Sequence, residues 1–144
     1  MNNLIDLLKE QLDKVANYNL AVFGICFTVF TVLYAFISSK KDTLIQLNEE
    51  IKVTANNLVT LKRFKLIQVL IAKWKRINYA IILLGTCFLI QYLVSIAGIT
   101  FVNSAKILMV IKNFLICTST CINIVALFFL VKFIRNYFKE VNSI

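Results

Sequence analysis

The stretch INYAIILLGTCFLIQYLVSIAGITFVNSA, residues 77–105, carries no charged side chain over 29 positions. A helix needs about 20 apolar residues to cross the roughly 30 Å hydrocarbon core of a bilayer, so this stretch is long enough to span one. Two more uncharged windows flank it, residues 15–39 with 25 positions and residues 113–131 with 19. The sequence therefore predicts an all-α integral membrane protein with three transmembrane helices.

The composition of the whole chain agrees with this prediction. Of its 144 residues 60% are hydrophobic and 16% are charged, and there are three glycines, no proline and no histidine. Soluble domains are about half apolar and a quarter charged, and disordered chains are poorer still in apolar residues. These numbers exclude a soluble domain and a disordered chain, and three spans leave little sequence for a separate folded domain.

The placement of the basic residues predicts the topology. Nine of the sixteen lie in residues 40–76, between the first two spans, and three more follow the third span. Because basic residues accumulate on the cytoplasmic side, we expect the N-terminus outside and the C-terminus in the cytoplasm of the plasma (inner) membrane. Topology and attraction to anionic lipid head groups account for the net charge of +9, so we expect membrane lipids and no nucleic acid as partners.

Charge and hydropathy divide the chain into seven segments. The predicted segments are an N-terminal amphipathic helix (1–16), transmembrane helix 1 (17–39), a basic cytoplasmic helical segment (40–76), transmembrane helix 2 (77–102), a short external connection (103–112), transmembrane helix 3 (113–133) and a cytoplasmic tail (134–144). The first of these places Leu4, Leu8, Leu12 and Val15 on one face. An anchor in the membrane interface is the simpler reading of that face, and packing on a neighbouring subunit is the alternative.

The cytoplasmic segment consists of two different halves. In the first, a row of apolar residues at near-heptad spacing suits a helix that packs against another helix, and the row consists of Leu44, Leu47, Ile51 and Leu58. This makes residues 40–76 a docking element for a cytoplasmic protein partner. The second half has six basic residues and no acidic one, with an apolar face opposite a basic face, as in helices that lie among lipid head groups. Its candidate membrane-surface or partner-binding residues are Lys62, Lys65, Lys73, Trp74 and Arg76.

The same segment must reverse direction, because a straight 38-residue helix would be about 57 Å long and would not return to the membrane. Asn56–Asn57, next to β-branched residues, is the weakest helical point. We expect a cytoplasmic helical hairpin that turns there; the alternative is a helix that continues through Asn57 and breaks near the basic cluster.

Small and weakly polar residues follow one face of the first span at alternating steps of four and three. This α1 stripe consists of Asn17, Ala21, Gly24, Thr28, Thr31, Ala35 and Ser38. Small residues let helix backbones approach closely and hydroxyls bond between helices, so the pattern predicts tight helix packing. The alternative is that several copies of the chain line a water-filled path with these residues.

The other two spans carry weaker polar stripes. Gln91, Ser95 and Gly98 share a face of the second span, and Thr120 and Asn123 share one in the third. We treat all five as pore-lining or helix-packing residues, with a bond between Gln91 and Asn123 as a hypothesis that rests on their similar depth.

Two lysines precede the third span. Lys106 and Lys112 enclose a short apolar stretch, and Lys112 is placed where its stem reaches the outer head groups. In a ring of copies both lysines would form positive rings at the external mouth of a pore, which would favour anions.

The residues that the spans lack also bear on function. No Asp, Glu or His lies in any span, which argues against proton relays and coupled transport. The four cysteines form no C-x-x-C pair, and no catalytic motif occurs, so we expect no cofactor, no metal site and no enzyme activity.

Three functions remain. The first is a small oligomeric pore-forming or ion-channel-like protein gated through its cytoplasmic helices, for which an effector in microbial stress or anti-phage defence is a plausible setting on base rates alone. The second is a non-catalytic accessory or scaffold subunit of a larger membrane complex. The third is a holin-like or toxin-like protein that permeabilises membranes.

Overall fold

The structure, a computed structural model, describes residues 2–53 and 58–141. They form three helices, α1 (Asn2–Val53), α2 (Leu58–Phe101) and α3 (Ala105–Val141), and these described ranges contain no strand. Each helix includes a segment long and apolar enough to cross a membrane. The prediction of an all-α chain with three such helices is confirmed, and this architecture is compatible with a multi-pass membrane protein.

Helix α1 is a single helix of 52 residues. It contains no proline, and proline is the residue that most strongly interrupts a helix. Thr28, Thr31 and Thr43 each donate their hydroxyl to the carbonyl four residues earlier, so these polar groups are satisfied within the helix itself. One helix thus carries the N-terminal segment, the first span and the start of the basic segment. The expected reversal at Asn56–Asn57 lies outside the described residues.

A short connection joins α2 to α3. Val102 donates its backbone N–H to the carbonyl of Gly98, 3.2 Å away, which closes the last turn of α2. Leu108 donates to the carbonyl of Ser104 at 3.0 Å, so Ser104 occupies the position that precedes the first turn of α3. Helix α3 therefore includes Lys106, Lys112 and the apolar stretch between them.

The chain divides into two compact units. The first contains Met1–Ala21 and Phe88–Ile144 and packs the start of α1, the end of α2 and α3 together. Its core consists of Leu8 and Leu12 from α1 with Leu108 and Leu115 from α3. Leu8 and Leu12 of the N-terminal apolar face are therefore buried inside the chain and Val15 packs against their cluster, whereas Leu4 is 47% exposed. Neither sequence alternative anticipated this packing within the chain.

The second unit contains Val22–Cys87, which is the rest of α1 with the first part of α2. The ring of Phe36 packs on Trp74 with centroids 5.4 Å apart, and Gly85 lies close to Cys26. Position 26 of α1 thus lies beside position 85 of α2, and position 36 beside position 74. Because the residue number rises along one helix while it falls along the other, the two helices run antiparallel. Ile37 and Ile71 are buried in this unit.

The basic part of α2 lies in this second unit. Its apolar face is buried or half-buried, and the residues of that face are Phe64, Ile67, Leu70, Ile71 and Trp74. We expected this face to lie among lipid head groups, whereas the contact of Trp74 with Phe36 directs it toward α1. The leucine and isoleucine positions of α1 at 44, 47 and 51 are half-buried as well. Each helix is therefore the packing partner of the other.

Candidate functional site

A cluster of polar side chains is buried between the helices of the first unit. It contains Asn19 from α1, Gln91 and Ser95 from α2, and Thr118 and Ser119 from α3 and is called the polar cluster below. Asn19 and Ser95 have no exposed surface, and Gln91 and Ser119 are more than nine-tenths buried. Polar groups are costly in hydrocarbon, so burying them against one another is favourable in a membrane helix bundle.

The α2 stripe explains how this cluster is buried. Gln91, Ser95 and Gly98 are all buried and form one face of α2. A Cβ placed on Gly98 would lie 3.3 Å from a methyl carbon of Leu12 and 3.7 Å from side-chain carbons of Ile111, so glycine permits close packing at this point. Of the three polar stripes in the sequence, this one forms a packing seam within the chain.

Hydrogen bonds connect α2 to α3 through the cluster. Ser119 donates its hydroxyl to Gln91 Oε1 at 2.5 Å, and Gln91 Nε2 donates to Thr118 Oγ1 at 3.2 Å. Thr118 in turn donates to the carbonyl of Phe114, and Ser95 donates to the carbonyl of Gln91. Both ends of the Gln91 amide are therefore bonded to α3.

Asn19 of α1 lies next to the hydroxyl of Ser119 as well. Its Oδ1 lies 3.2 Å from Ser119 Oγ, while its Nδ2 is buried without a hydrogen-bond partner among the described residues. The single hydrogen of Ser119 serves one acceptor, and Gln91 Oε1 is the nearer one. A half-turn of the Asn19 amide would let Nδ2 donate to Ser119 Oγ instead. That orientation joins all three helices by one continuous chain of hydrogen bonds.

Further polar contacts hold α1 beside α3 and beside the connection before it. Asn123 donates to the hydroxyl of Tyr18 at 2.7 Å, and Lys112 donates to Gln11 Oε1 at 2.9 Å. Lys9 donates to Asn103 Oδ1 at 3.2 Å. Gln91 and Asn123, whose pairing was a hypothesis, bond to different residues within the chain. Lys112 is half-buried, whereas Lys106 is exposed.

The α1 stripe is not buried as the α2 stripe is, and all of its members are exposed. Gly24, Thr28, Thr31, Ala35 and Ser38 are exposed in the second unit, and Asn17 and Ala21 are exposed in the first. A Cβ on Gly24 would meet no atom within 4 Å. In the second unit the side of α1 that is buried instead contains Cys26 and Ile37. The α1 stripe thus forms no packing seam with the described part of its own chain.

The remaining predicted site residues lie on helix surfaces. Thr120 is exposed and donates its hydroxyl to the carbonyl of Ile116. The basic side chains at 62, 65, 73 and 76 are exposed on α2, on the side away from its apolar face.

Sequence reasoning missed Asn19, Thr118 and Ser119 as members of the polar cluster. A signal for Asn19 was present, because it continues the face of Leu8, Leu12 and Ala16 at helical spacing, and that face is the buried one. The α3 residues had no comparable signal, since hydroxyls lie on several sides of that helix.

Amides and hydroxyls without an ionisable group are suited to helix association and to hydration of ions, and they are poor at proton transfer.

A scan against known protein families finds no matching family model, and searches of curated proteins and of solved structures find no match. The function proposed below therefore rests on the geometry of this chain.

Proposed function

We propose that this chain forms a homo-oligomeric membrane channel in which the α1 stripes of several copies face a shared water-filled path. The observation that carries the proposal is the full exposure of the α1 stripe, whereas Asn19, Gln91, Ser95 and Ser119 are buried.

The surroundings of the stripe give it a shape that a helix of a second copy can fit. Exposed bulky side chains border it on both sides, with Phe27 and Tyr34 on one and Ile25, Val29 and Val32 on the other. The small residues between them form a shallow groove, and such grooves let helices approach closely in membranes. The hydroxyls of Thr28 and Thr31 use their hydrogens within α1, but their oxygens keep lone pairs that can face water or a cation.

The proposal includes a membrane orientation and a role for the basic segment. The N-terminus lies outside and the C-terminus in the cytoplasm of the plasma membrane, as the distribution of basic residues favours. Residues 40–76 then lie in the cytoplasm, next to anionic head groups, where they are placed to gate the path.

The test is to purify the full chain, determine its oligomeric state in nanodiscs and record conductance in planar bilayers. Thr28→Leu and Thr31→Leu are expected to abolish conductance while the oligomer persists, because leucine fills the path without adding charge. Val29→Leu is the matched control, since Val29 is exposed beside the stripe. A wild-type chain that is monomeric and passes no current would refute the channel.

A non-catalytic scaffold subunit is the second candidate. The open space at Gly24 favours it, because glycine at an exposed helix position suits close approach of a partner helix. In that case Thr28→Leu and Thr31→Leu would prevent assembly of the complex, instead of leaving an assembled complex that conducts no ions.

A further inference from the structure

We infer that the α1–α2 pair of the second unit binds one anionic phospholipid, with the phosphate between Lys41 and Lys75 and an acyl chain in an apolar groove nearby. Two grooves on the surface of this pair carry the inference. The apolar groove lies between residues 23–30 and 81–86, and the lysine groove lies between residues 41–44 and 68–75. The inference goes beyond the proposed channel, because a single copy of the chain contains the whole site.

The two grooves open on the same side of the helix pair. Lys41 of the lysine groove follows Phe23 of the apolar groove by 18 residues, which is about five full turns of an α-helix. Gln68 and Thr86, which line the two grooves on α2, are also 18 residues apart. One elongated molecule can therefore lie along both grooves.

A row of aromatic rings on α1 forms an apolar wall along the grooves. The row consists of Phe23, Phe27, Phe30 and Tyr34, and neighbouring ring centroids lie 6.1–6.4 Å apart. Phe27 is 60% exposed and Tyr34 is 62% exposed, so the row offers its surface to a lipid chain. Tyr34 is the member nearest to the lysine groove, and tyrosine is enriched where hydrocarbon meets the head groups.

The lysine groove contains the charge that selects the head group. Lys41 and Lys75 line it and are exposed, and its described lining includes no acidic residue. Neither lysine has a carboxylate partner in the part of the chain that the structure describes. Both ammonium groups attract a phosphate, and an anionic phospholipid has no cationic group of its own that they would repel.

The two lysine side chains converge along the helix axis. Because Phe36 packs on Trp74, Lys75 is level with residue 35 of α1, and Lys41 lies six residues, about 9 Å, further along that helix. Side chains lean toward the N-terminus of their own helix, and the two helices run antiparallel. Lys41 and Lys75 therefore lean toward each other, and both can reach a phosphate near the level of residue 38.

The length of the site matches one leaflet of a bilayer. From the level of residue 38 to Phe23, at the far end of the apolar groove, there are 15 residues, or about 22 Å along α1. A bilayer with its head groups is about 40–45 Å thick, so one leaflet is about 20–22 Å thick. A phospholipid whose phosphate lies between the lysines therefore extends its acyl chain through the apolar groove.

The lipid does not occupy the path of the proposed channel. The described residues that line the two grooves include no member of the α1 stripe. The aromatic row borders the stripe, so the lipid lies beside the path and outside it.

Native mass spectrometry of the full chain, delipidated in detergent, tests the site. The chain is titrated with phosphatidylglycerol or with phosphatidylcholine of the same acyl chains. One phosphatidylglycerol per chain is expected at concentrations at which phosphatidylcholine is not retained. Lys41→Gln combined with Lys75→Gln is expected to weaken this binding about tenfold or more, because hydrogen bonds between charged groups are strong.

The matched control is Lys52→Gln combined with Arg63→Gln. It also removes one positive charge from each helix, at exposed positions that line neither groove, and it is expected to bind phosphatidylglycerol as the wild type does. An equal loss of binding in both double variants would show attraction by net charge alone and would overturn the inference. Equal retention of the two lipids by the wild-type chain would overturn it as well.

The apolar groove is tested separately. Ile82→Trp fills this groove and is expected to weaken phosphatidylglycerol binding, whereas Leu83→Trp is not, because Leu83 is exposed on α2 and lines neither groove. Unchanged binding by Ile82→Trp would leave a phosphate site without an acyl chain and would contradict the inference. The same holds if Ile82→Trp dissociates an oligomer and retains its lipid, since a neighbouring copy would then fill the groove.

The number of lipids per chain separates this inference from the proposed function. A monomeric chain that passes no current but retains phosphatidylglycerol would refute the channel alone. A chain that assembles and conducts but retains no phosphatidylglycerol would refute the lipid site alone.

Discussion

Gln91 lies near the middle of the longest uncharged window and bonds to two neighbouring residues of α3. Its amide offers two donors and an acceptor, and two hydroxyls at successive positions take up one of each kind. In hydrocarbon such a contact holds two helices in one rotational setting, because turning α3 by one residue would separate Ser119 from the Gln91 amide.

Gln91→Leu is expected to destabilise the helix bundle by about 0.6–2 kcal/mol, since hydrogen bonds between membrane helices fall in that range. The measurement is the free energy of unfolding in mixed micelles. Thr120→Val serves as the control, because Thr120 is exposed and bonds only within its own helix turn. Equal stability of the two variants would show that the polar cluster does not hold the bundle.

Asn19→Leu tests the other branch of the cluster. Its Nδ2 is buried without a hydrogen-bond partner in the described part of the chain, and removing an unsatisfied buried donor offsets the loss of its bond to Ser119. The loss of stability is expected to be smaller than for Gln91→Leu in the same micelle titration. A larger loss would indicate that the rotated amide, which completes the chain of hydrogen bonds, is the dominant orientation.

At the scale of elements, the three glycines have three different surroundings. Gly24 is open, Gly98 meets the ends of long side chains, and Gly85 lies opposite a Cβ atom. These surroundings determine how a glycine-to-alanine substitution changes stability at each position. The end of a flexible side chain can move aside for the added methyl group, whereas a Cβ next to a helix backbone cannot.

Gly24→Ala is expected to stabilise the isolated chain by about 0.5–1 kcal/mol, the gain from replacing glycine inside a helix. Gly85→Ala is expected to lose that gain, because its Cβ would lie 3.2 Å from Cys26 Cβ and α1 would have to move. The two variants are compared by thermal unfolding in detergent. If Gly85→Ala were as stable as Gly24→Ala, the close approach of α1 and α2 at Cys26 would be wrong.

For the whole molecule, the placement of the basic residues predicts on which side of the membrane each terminus lies. Twelve of the sixteen fall on one side if the chain crosses three times, nine of them in one segment. A bias of this size is a strong topology signal, since basic residues close to a span resist translocation.

We therefore expect opposite locations for the two termini. A cysteine added at the N-terminus should react with a membrane-impermeant thiol reagent in intact cells, and one added at the C-terminus should react only after permeabilisation. The unmodified chain provides the background from Cys26, Cys87, Cys117 and Cys121. An N-terminal cysteine that is protected in intact cells would contradict the orientation.

Much of the helical architecture was predictable from local properties. Three uncharged windows and the absence of proline are sufficient for three long apolar helices, because a bilayer admits few other backbone structures. The buried seam on α2 was also visible as the row Gln91, Ser95 and Gly98. The surroundings of the leucine face of residues 4–15 were not predictable, since an amphipathic helix packs equally well on lipid, on another subunit or on its own chain.

By itself, then, the sequence determined the helix content, the segments long and apolar enough to span a membrane, and the lack of acidic and basic side chains within them, because these follow from composition and helical periodicity. Only the tertiary structure decided which polar face is buried and which is exposed. The stripes of small polar residues on α1 and α2 are alike as sequence patterns. Whether a stripe is buried or exposed depends on the side chains that pack against it. Leu12 and Ile111 close over Gly98, whereas no atom lies within 4 Å of a Cβ at Gly24.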